Sequence, residues 1–372
     1  MYGLVPRDYL SMALLSPTGL PYLTTDELES LYSPDDFEPL AKERITAEAH
    51  AYISGYAGTG EGHRMNLEAF KRWVFRTRIL RDVSSVTLST TVLGKLLRTP
   101  IILGASALHR LSHPDGEFAT ARAATTAGTV MLLSTSSSIS LEDVAPYAEH
   151  RWMQLYWMND LALTRDIVQR AEAHGYEAIA LTVDAPRLGW REIEMRLGDW
   201  VPSDILQANF PTPLPAGLAT SSTLTWRSLD WLRSITSMPI ILKGILTVED
   251  ATIAAEEGYP AIIVSTHGGR QLDYLIASVD ALPPIVEAVA GRLEIYLDSG
   301  IRRGTDVLKA LALGARAAII GRPVHWALGA GGEQGLLRLL TIMNSELLSA
   351  MALCGVTSIA DVNSSLVSPR LI

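Results

Sequence analysis

The chain has 372 residues, a net charge of −9 at pH 7, 48% apolar and 19% charged side chains. That apolar share supports a large core and excludes a disordered chain, and the low charge fits heavy burial. The acidic balance, with a pI of about 5.4, sets the surface against nucleic-acid phosphates and anionic lipid, yet leaves room for a locally basic pocket that takes a small anion.

The single cysteine, Cys354, permits no intrachain disulfide; it suits a reducing compartment and reads as a small buried hydrophobe. No unbroken apolar run of about 18 residues appears, so no membrane-spanning helix is expected. The stretch Tyr9–Leu15, interrupted by Ser11 and preceded only by Arg7, makes a poor secretory signal. The terminal Ser-Pro-Arg-Leu-Ile is not a Ser-Lys-Leu address. A cytoplasmic protein without a membrane or nucleic-acid partner is the expectation.

Residues 1–34 are rich in Pro, Ser, Tyr and Leu and read as an N-terminal arm, extended in character; residues 35–372 read as one domain. Helical signals begin near Asp35, and apolar residues at helical spacing run from Phe37 to Tyr56, ending at Ser54-Gly55.

From Pro100 the pattern changes to short apolar runs of the kind that form buried parallel strands: Ile101–Ala105, Val130–Ser134, Met153–Trp157, Ala178–Val183, Ile240–Lys243, Ala261–Ser265, Leu293–Asp298 and Ala317–Gly321. Amphipathic stretches alternate with them: Asp115–Ala127, Ala162–His174, Val248–Glu257 and Gly304–Leu313. The alternation predicts βαβ units, and eight strands in this order favour an α/β fold of the closed (β/α)8 TIM-barrel type with an N-terminal helical extension. An open doubly wound sheet competes, but the turn Gly104-Ala105-Ser106 after the first strand is not the Gly-rich fingerprint of that fold. Roughly fifty residues separate the fourth strand from the fifth, far more than a connection needs. Trp200, Pro202, Phe210, Pro211, Pro213 and Pro215 fall in this long loop, which reads as a lid over the barrel mouth.

Barrel enzymes place their reactive groups at the C-terminal ends of the strands. Polar residues gather there: Gln154 and Tyr156 on the third strand, Thr182 and Asp184 at the fourth, Lys243 at the fifth, His267 after the sixth, Asp298 at the seventh, Gly321-Arg322 at the eighth. Any one of them could merely cap a helix; His, Lys, Asp, Arg and Tyr together point to chemistry. The runs Asp298-Ser-Gly-Ile-Arg-Arg-Gly-Thr305 and Gly321-Arg-Pro323 lie where barrels bind phosphate at a helix N-terminus. Gly300 allows close backbone approach, and Arg302 and Arg322 supply charge. The competing reading is a glycine turn with solvated arginines. Ser265-Thr-His-Gly-Gly-Arg-Gln-Leu-Asp-Tyr274 sets a proton acceptor, His267, three residues from a guanidinium, Arg270. A 2-hydroxy acid requires that pair: a base for its proton and a fork for its carboxylate.

These residues carry a resemblance. Tyr52-Ile-Ser-Gly55, Ser112-His-Pro-Asp-Gly-Glu117, Gln154-Leu-Tyr156, Leu181-Thr-Val-Asp-Ala-Pro-Arg-Leu-Gly189, Leu242-Lys-Gly244, the His267 segment and Asp298–Asp306 are similar to motifs of the FMN-dependent 2-hydroxy acid oxidases and dehydrogenases. That family includes glycolate oxidase, lactate oxidase, mandelate dehydrogenase and 4-hydroxymandelate oxidase; the likeness spans roughly residues 40–360. It implies FMN as cofactor, an (S)-2-hydroxy acid as substrate and a homo-oligomer, often a tetramer. It also implies His267 as base beside Asp184, Arg270 and Arg191 on the substrate carboxylate with Tyr52, and Tyr156 on the substrate oxygen. Leu188 and Ser136 would border the substrate. Ser134, Gln154 and Thr182, with Ser265, would hold the flavin ring, Ser106 and Ala107 would face its reactive nitrogen, and Lys243 its pyrimidine edge. Asp298 would take the ribityl chain, and Gly300, Arg302, Gly321 and Arg322 the phosphate. Oxygen, yielding hydrogen peroxide, is the favoured acceptor; Ala107 stands where several dehydrogenases and monooxygenases of the family have glycine. Another acceptor, or oxidative decarboxylation of the product, stays open.

Departures also count. Ser136 replaces a tryptophan of glycolate oxidase, which implies a bulkier substrate side chain, aryl or branched alkyl. Thr266 replaces a usual asparagine, and Ala105 a common proline. Ser299 replaces a usual glycine, which is easily tolerated if its φ is negative.

Overall fold

Eight short runs built from Ile, Val, Leu, Met and Ala pair side by side into a closed parallel barrel. The computed structural model describes residues 15–198, 200–202, 205, 207–211 and 220–370. Pro213 and Pro215 of the long loop, and Tyr9 to Leu14, lie outside the described residues. The strands are Ile101–Gly104 (β1), Val130–Leu133 (β2), His150–Tyr156 (β3), Ile179–Thr182 (β4), Ile240–Ile245 (β5), Ala261–Val264 (β6), Glu294–Leu297 (β7) and Ala317–Ile320 (β8). Each pairs with the next, and β8 closes on β1. All eight runs read from the sequence are strands, with ends shifted by a residue or a few.

The runs are continuous in apolar character because both faces are buried. Ile102, Leu132, Trp152, Ala180, Ile241, Ile263, Tyr296 and Ile319 fill the interior, while Leu103, Leu133, Leu155, Leu181, Leu242, Val264, Leu297 and Ile320 face the outer helices. A small hairpin, Thr90–Val92 with Lys95–Leu97, joins Val92 and Leu97 to the interior layer. Register then sets the rim: Tyr156 lies opposite Thr182, and Thr182 opposite Lys243.

Two expectations change. The helical stretch from Phe37 is two helices, Phe37–Arg44 and Ala47–Ser54. Ile45 is extended between them, and the hydroxyl of Thr46 accepts the Ala49 N–H at 3.1 Å to start the second. The arm is not wholly extended. Residues Thr25–Glu29 are helical, opened by a reciprocal Thr24–Glu27 cap. Leu28 from this turn is buried against Gly331, where a β-carbon would meet its Cδ1 at 2.9 Å.

Gly331 belongs to the helix Arg322–Leu353, interrupted where Gly332 adopts φ +57°. At 32 residues it is long and apolar enough to cross a membrane by length and composition alone. In this fold Val324, Leu328, Leu336, Leu339, Leu340, Met343 and Leu347 are buried in the main core. Cys354, just beyond it, is buried as expected.

Candidate active site

The C-terminal rim of the barrel opens into a cavity holding about 960 Å³ of empty space, part of it open to solvent. Its wall collects Tyr52, Ser106, Ala107, Ser134, Gln154, Tyr156, Thr182, Arg191, Lys243, His267, Arg270, Asp298, Gly300, Arg302, Gly321 and Arg322. Asp184 and Ser265 stand behind the wall and bond to residues on it.

His267 follows β6 in a single turn whose φ is positive at His267 (+56°), Gly268 (+67°) and Gly269 (+75°). A side chain in the left-handed region costs roughly 1–2 kcal/mol, and bonds must hold it there. Ser265 Oγ accepts the His267 N–H at 3.0 Å, and Ser299 Oγ accepts the Gly268 N–H at 3.0 Å. Gly269 has no room for a β-carbon, which would sit 2.8 Å from the His63 backbone.

His267 Nδ1 lies 3.1 Å from Asp184 Oδ1, and Nε2 lies 3.4 Å from the Tyr156 hydroxyl on the cavity side. Burial pushes the imidazole pKa below its ordinary value; Asp184 opposes this and Lys243 adds to it. Burial raises Asp184, but the attraction of His267 and then Lys243 outweighs it, and the carboxyl is held below its usual range. The pair therefore rests as carboxylate and neutral imidazole. A carboxylate can only accept, so the ring proton sits on Nδ1 and the Nε2 lone pair faces the cavity. Burial raises the Tyr156 phenol, which stays a donor.

Lys243 is 4% exposed. Its Nζ donates to Ser265 Oγ at 2.9 Å and pairs with Asp298 Oδ2 at 3.2 Å. Burial opposes its charge, but Asp298 and Asp184 more than compensate, so its pKa rises and the ammonium persists. Beside it runs a polar row. Gln154 Nε2 donates to Thr182 Oγ1 at 2.9 Å, and Gln154 Oε1 accepts from Ser134 Oγ at 3.2 Å.

The arginines close the cavity. Arg270 Nη1 donates to the carbonyls of Tyr52 and Gly55 at 2.8 and 2.9 Å. Arg322 donates to those of Ile53, Gly268 and Gly55 at 3.0, 2.9 and 2.7 Å. Both thus cap the C-terminal carbonyls of the helix Ala47–Ser54, where the backbone dipole favours cations. Arg302 Nη1 bonds the Ile301 carbonyl at 2.9 Å. Burial lowers Arg322 well below its ordinary value, and the charges of Arg270 and Arg302 lower it further.

Besides Asp184 and Ser265, two predicted residues, Leu188 and Ser136, are not brought to the wall. Leu188 is 44% exposed. It is the neighbouring Gly189 that packs inward, with no space for a β-carbon within 2.3 Å of the Arg270 carbonyl. Ser136 is half-buried beside the wall, its N–H donating to Ser134 Oγ at 3.1 Å. Ser299 also departs from expectation: its φ is +73°. The hydroxyl offsets the strain, accepting from Thr266 N at 3.2 Å and Gly268 N at 3.0 Å and donating to Asp298 Oδ1 at 2.7 Å. Asn66 Nδ2 donates to Thr266 Oγ1 at 2.8 Å, so an amide reaches this turn from another helix.

Sequence reasoning missed His325 on the wall and Glu194 behind Arg270. His325 Nδ1 lies 2.8 Å from Ser112 Oγ, inside the helix after β8, where its spacing looks like any core position. Glu194 lies on the short helix Glu192–Leu197 of the long loop, where an acidic residue reads as solvated.

The donor set fits FMN. The guanidinium groups of Arg302 and Arg322, half-buried on the wall with no ion pair to a carboxylate among the described residues, suit an anion, and the Gly300 and Gly321 turns lie beside them. The polar row and Lys243 offer donors and acceptors suited to the edge of a flavin ring.

Comparison with known proteins agrees. The FMN-dependent dehydrogenase family model matches residues 41–369. Glycolate oxidase 1 of Oryza sativa subsp. indica is 45% identical over 342 residues, 88% of this chain and 93% of that protein. The L-lactate oxidase of Nostoc sp. is 45% identical over 350 residues, 89% of this chain and 96% of that protein. A crystal structure of mandelate oxidase with 3,3-difluoro-2-hydroxy-3-phenylpropionic acid superposes with a TM-score of 0.86 at 40% identity, over 92% of this chain and 99% of that one. A cavity that suits an anion at one end and offers a neutral imidazole at the other is thus explained: the chain belongs to the FMN-dependent dehydrogenase family, and FMN is its cofactor.

Proposed function

We propose that this enzyme oxidises an (S)-2-hydroxy acid with a side chain bulkier than that of glycolate, aryl or branched alkyl, to the 2-oxo acid and delivers the electrons to oxygen as hydrogen peroxide. Oxidation of 2-hydroxy acids is the reaction class named for its relatives, glycolate, L-lactate and mandelate oxidase. The observation that carries the reading is the placement of His267, its Nε2 turned to the cavity beside Tyr156, on a wall shared with the guanidiniums of Arg191 and Arg270.

FMN, when bound, supplies the two-electron acceptor that the side chains lack. Arg270 and Arg191 bind the substrate carboxylate, with Tyr52 as a further donor. Tyr156 donates to the substrate oxygen and His267 Nε2 takes up a proton from the α-hydroxyl or the α-carbon, while Asp184 stabilises the imidazolium so formed. Ser134, Gln154, Thr182 and Lys243 hold the ring, with Ser265 fixing Lys243; Ser106 and Ala107 line its other edge. Asp298 takes the ribityl chain, and Gly300, Arg302, Gly321 and Arg322 the phosphate. The bulky side chain is supported by the likeness to mandelate oxidase and by the small Ser136, half-buried beside the wall, where glycolate oxidase has a tryptophan.

Anaerobic mixing of the yellow enzyme with glycolate, lactate, branched 2-hydroxy acids and mandelate tests this. Bleaching fastest with the bulky acids, followed on aeration by one peroxide per turnover, is expected. Equal rates for glycolate and mandelate would remove the side-chain assignment. No bleaching by any acid would remove the reaction itself, and bleaching without peroxide on aeration would remove the oxygen step.

A further inference from the structure

The two arginines assigned to the substrate carboxylate are held by a residue from the long loop. Arg270 Nη2 donates to Glu194 Oε1 at 2.7 Å, and Arg191 Nη1 to Glu194 Oε2 at 3.3 Å. One carboxylate thus spans two guanidiniums. All three side chains are nearly buried, 14% exposed for Glu194 and Arg270 and 9% for Arg191. Arg191 Nε also donates to the Arg270 backbone carbonyl at 2.8 Å, which fixes the second cation to the first.

The donor inventory shows where Glu194 stands. Arg270 has five N–H groups. Two go to the carbonyls of Tyr52 and Gly55 and one to Glu194, while Nε has no partner among the described residues. Glu194 is not on the cavity wall, whereas Arg270 and Arg191 are. It therefore grips the arginines from behind. The fit is close: a β-carbon on Gly55 would sit 3.1 Å from Glu194 Oε1. Without this carboxylate, two buried like charges would face each other with no anion between them.

We infer that Glu194 is a positioning residue: carried into place by the long loop, it holds Arg191 and Arg270 side by side and leaves their free N–H groups aimed at the substrate carboxylate. Seating of the loop helix and assembly of the carboxylate fork are then one event. The inference rests on the proposed role of the two arginines.

The test measures kcat and KM for the fastest hydroxy acid of the panel and for its methyl ester, in wild type, Glu194→Gln and Glu194→Asp. Wild type should prefer the acid strongly. In Glu194→Gln the acid-to-ester ratio of kcat/KM should fall about tenfold to a hundredfold, through KM of the acid, with FMN content and flavin absorbance unchanged. Glu194→Asp, which keeps the charge but withdraws it by one methylene, should fall in between, and it serves alone if the Gln variant fails to fold. A merely structural loss would lower acid and ester together and leave the ratio intact; that outcome overturns the inference. A higher ratio overturns it too, since Glu194 would then be competing with substrate. A wild-type enzyme indifferent to acid or ester would instead refute the role given to the arginines.

Discussion

The two ends of the cavity are built differently. At the His267 end the charges already have partners in the protein: His267 with Asp184, Lys243 with Asp298, and Arg270 and Arg191 with Glu194. At the far end the guanidinium groups of Arg302 and Arg322 are bonded to backbone carbonyls, with no ion pair to a carboxylate among the described residues. The first end is organised before anything binds, which is what proton transfer requires. The second lacks a counter-charge of its own, which the FMN phosphate we propose to bind there would supply. Changes at the first end should therefore affect turnover and spare the flavin; changes at the second should do the reverse.

The largest effect is expected at His267. His267→Ala should slow flavin reduction by about 10²–10⁴-fold, the usual contribution of a general base, with the flavin still bound. Stopped-flow bleaching measures it, and near-normal reduction would break the comparison at its centre. The pH profile sharpens it. The folded-state pKa of His267 lies below the ordinary 6.5, so the proton-free base persists under that value. The acid limb of kcat/KM should accordingly fall below pH 6.5, and Asp184→Asn, which removes the attraction opposing the shift, should move it lower still.

Arg270→Lys comes next. Lysine keeps the charge but cannot form the fork or serve the carbonyls of Tyr52 and Gly55 together. Loss of one charge-assisted bond, roughly 2 kcal/mol, corresponds to about a thirtyfold fall in kcat/KM, carried by KM. Arg302→Ala should instead weaken FMN binding by about tenfold, measured as free flavin after ultrafiltration, with kcat of the FMN-saturated enzyme little changed. If Arg302→Ala lowered kcat and retained FMN, the two ends would not be separable.

The same contrast explains what could be read from the sequence. Barrel strands buried on both faces are continuous apolar runs, so all eight were legible, and strand-end polar residues such as Gln154, Thr182, Lys243 and Asp298 followed from their position. The resemblance supplied roles for His267 and the arginines. What escaped depends on contacts distant in sequence. Glu194 matters because the loop carries it behind Arg270, 76 residues away. Asn66 matters because its amide reaches Thr266, 200 residues away. The break at Ile45 was masked by apolar spacing that runs through it, although Thr46 was a visible cap. Leu188 was placed at the substrate through the resemblance, and the close approach of its neighbour Gly189 to the Arg270 carbonyl shows that it is Gly189 that faces in.

Ser299 gives the smallest and most discriminating prediction, because it ties the His267 turn to Asp298. Its φ of +73° would suit glycine, yet its hydroxyl accepts the N–H groups of Thr266 and Gly268, beside His267, and donates to Asp298. Ser299→Ala keeps the strain and loses the bonds. Ser299→Gly loses the same bonds but relieves roughly 1–2 kcal/mol of left-handed strain, less the conformational entropy that glycine gains on unfolding. The alanine variant should therefore unfold in urea with a stability about 1 kcal/mol below that of the glycine variant, and both should lie below wild type. A glycine variant more stable than wild type would mean that strain outweighs the hydroxyl's bonds, and that this turn keeps serine to orient the His267 backbone rather than to stabilise the fold.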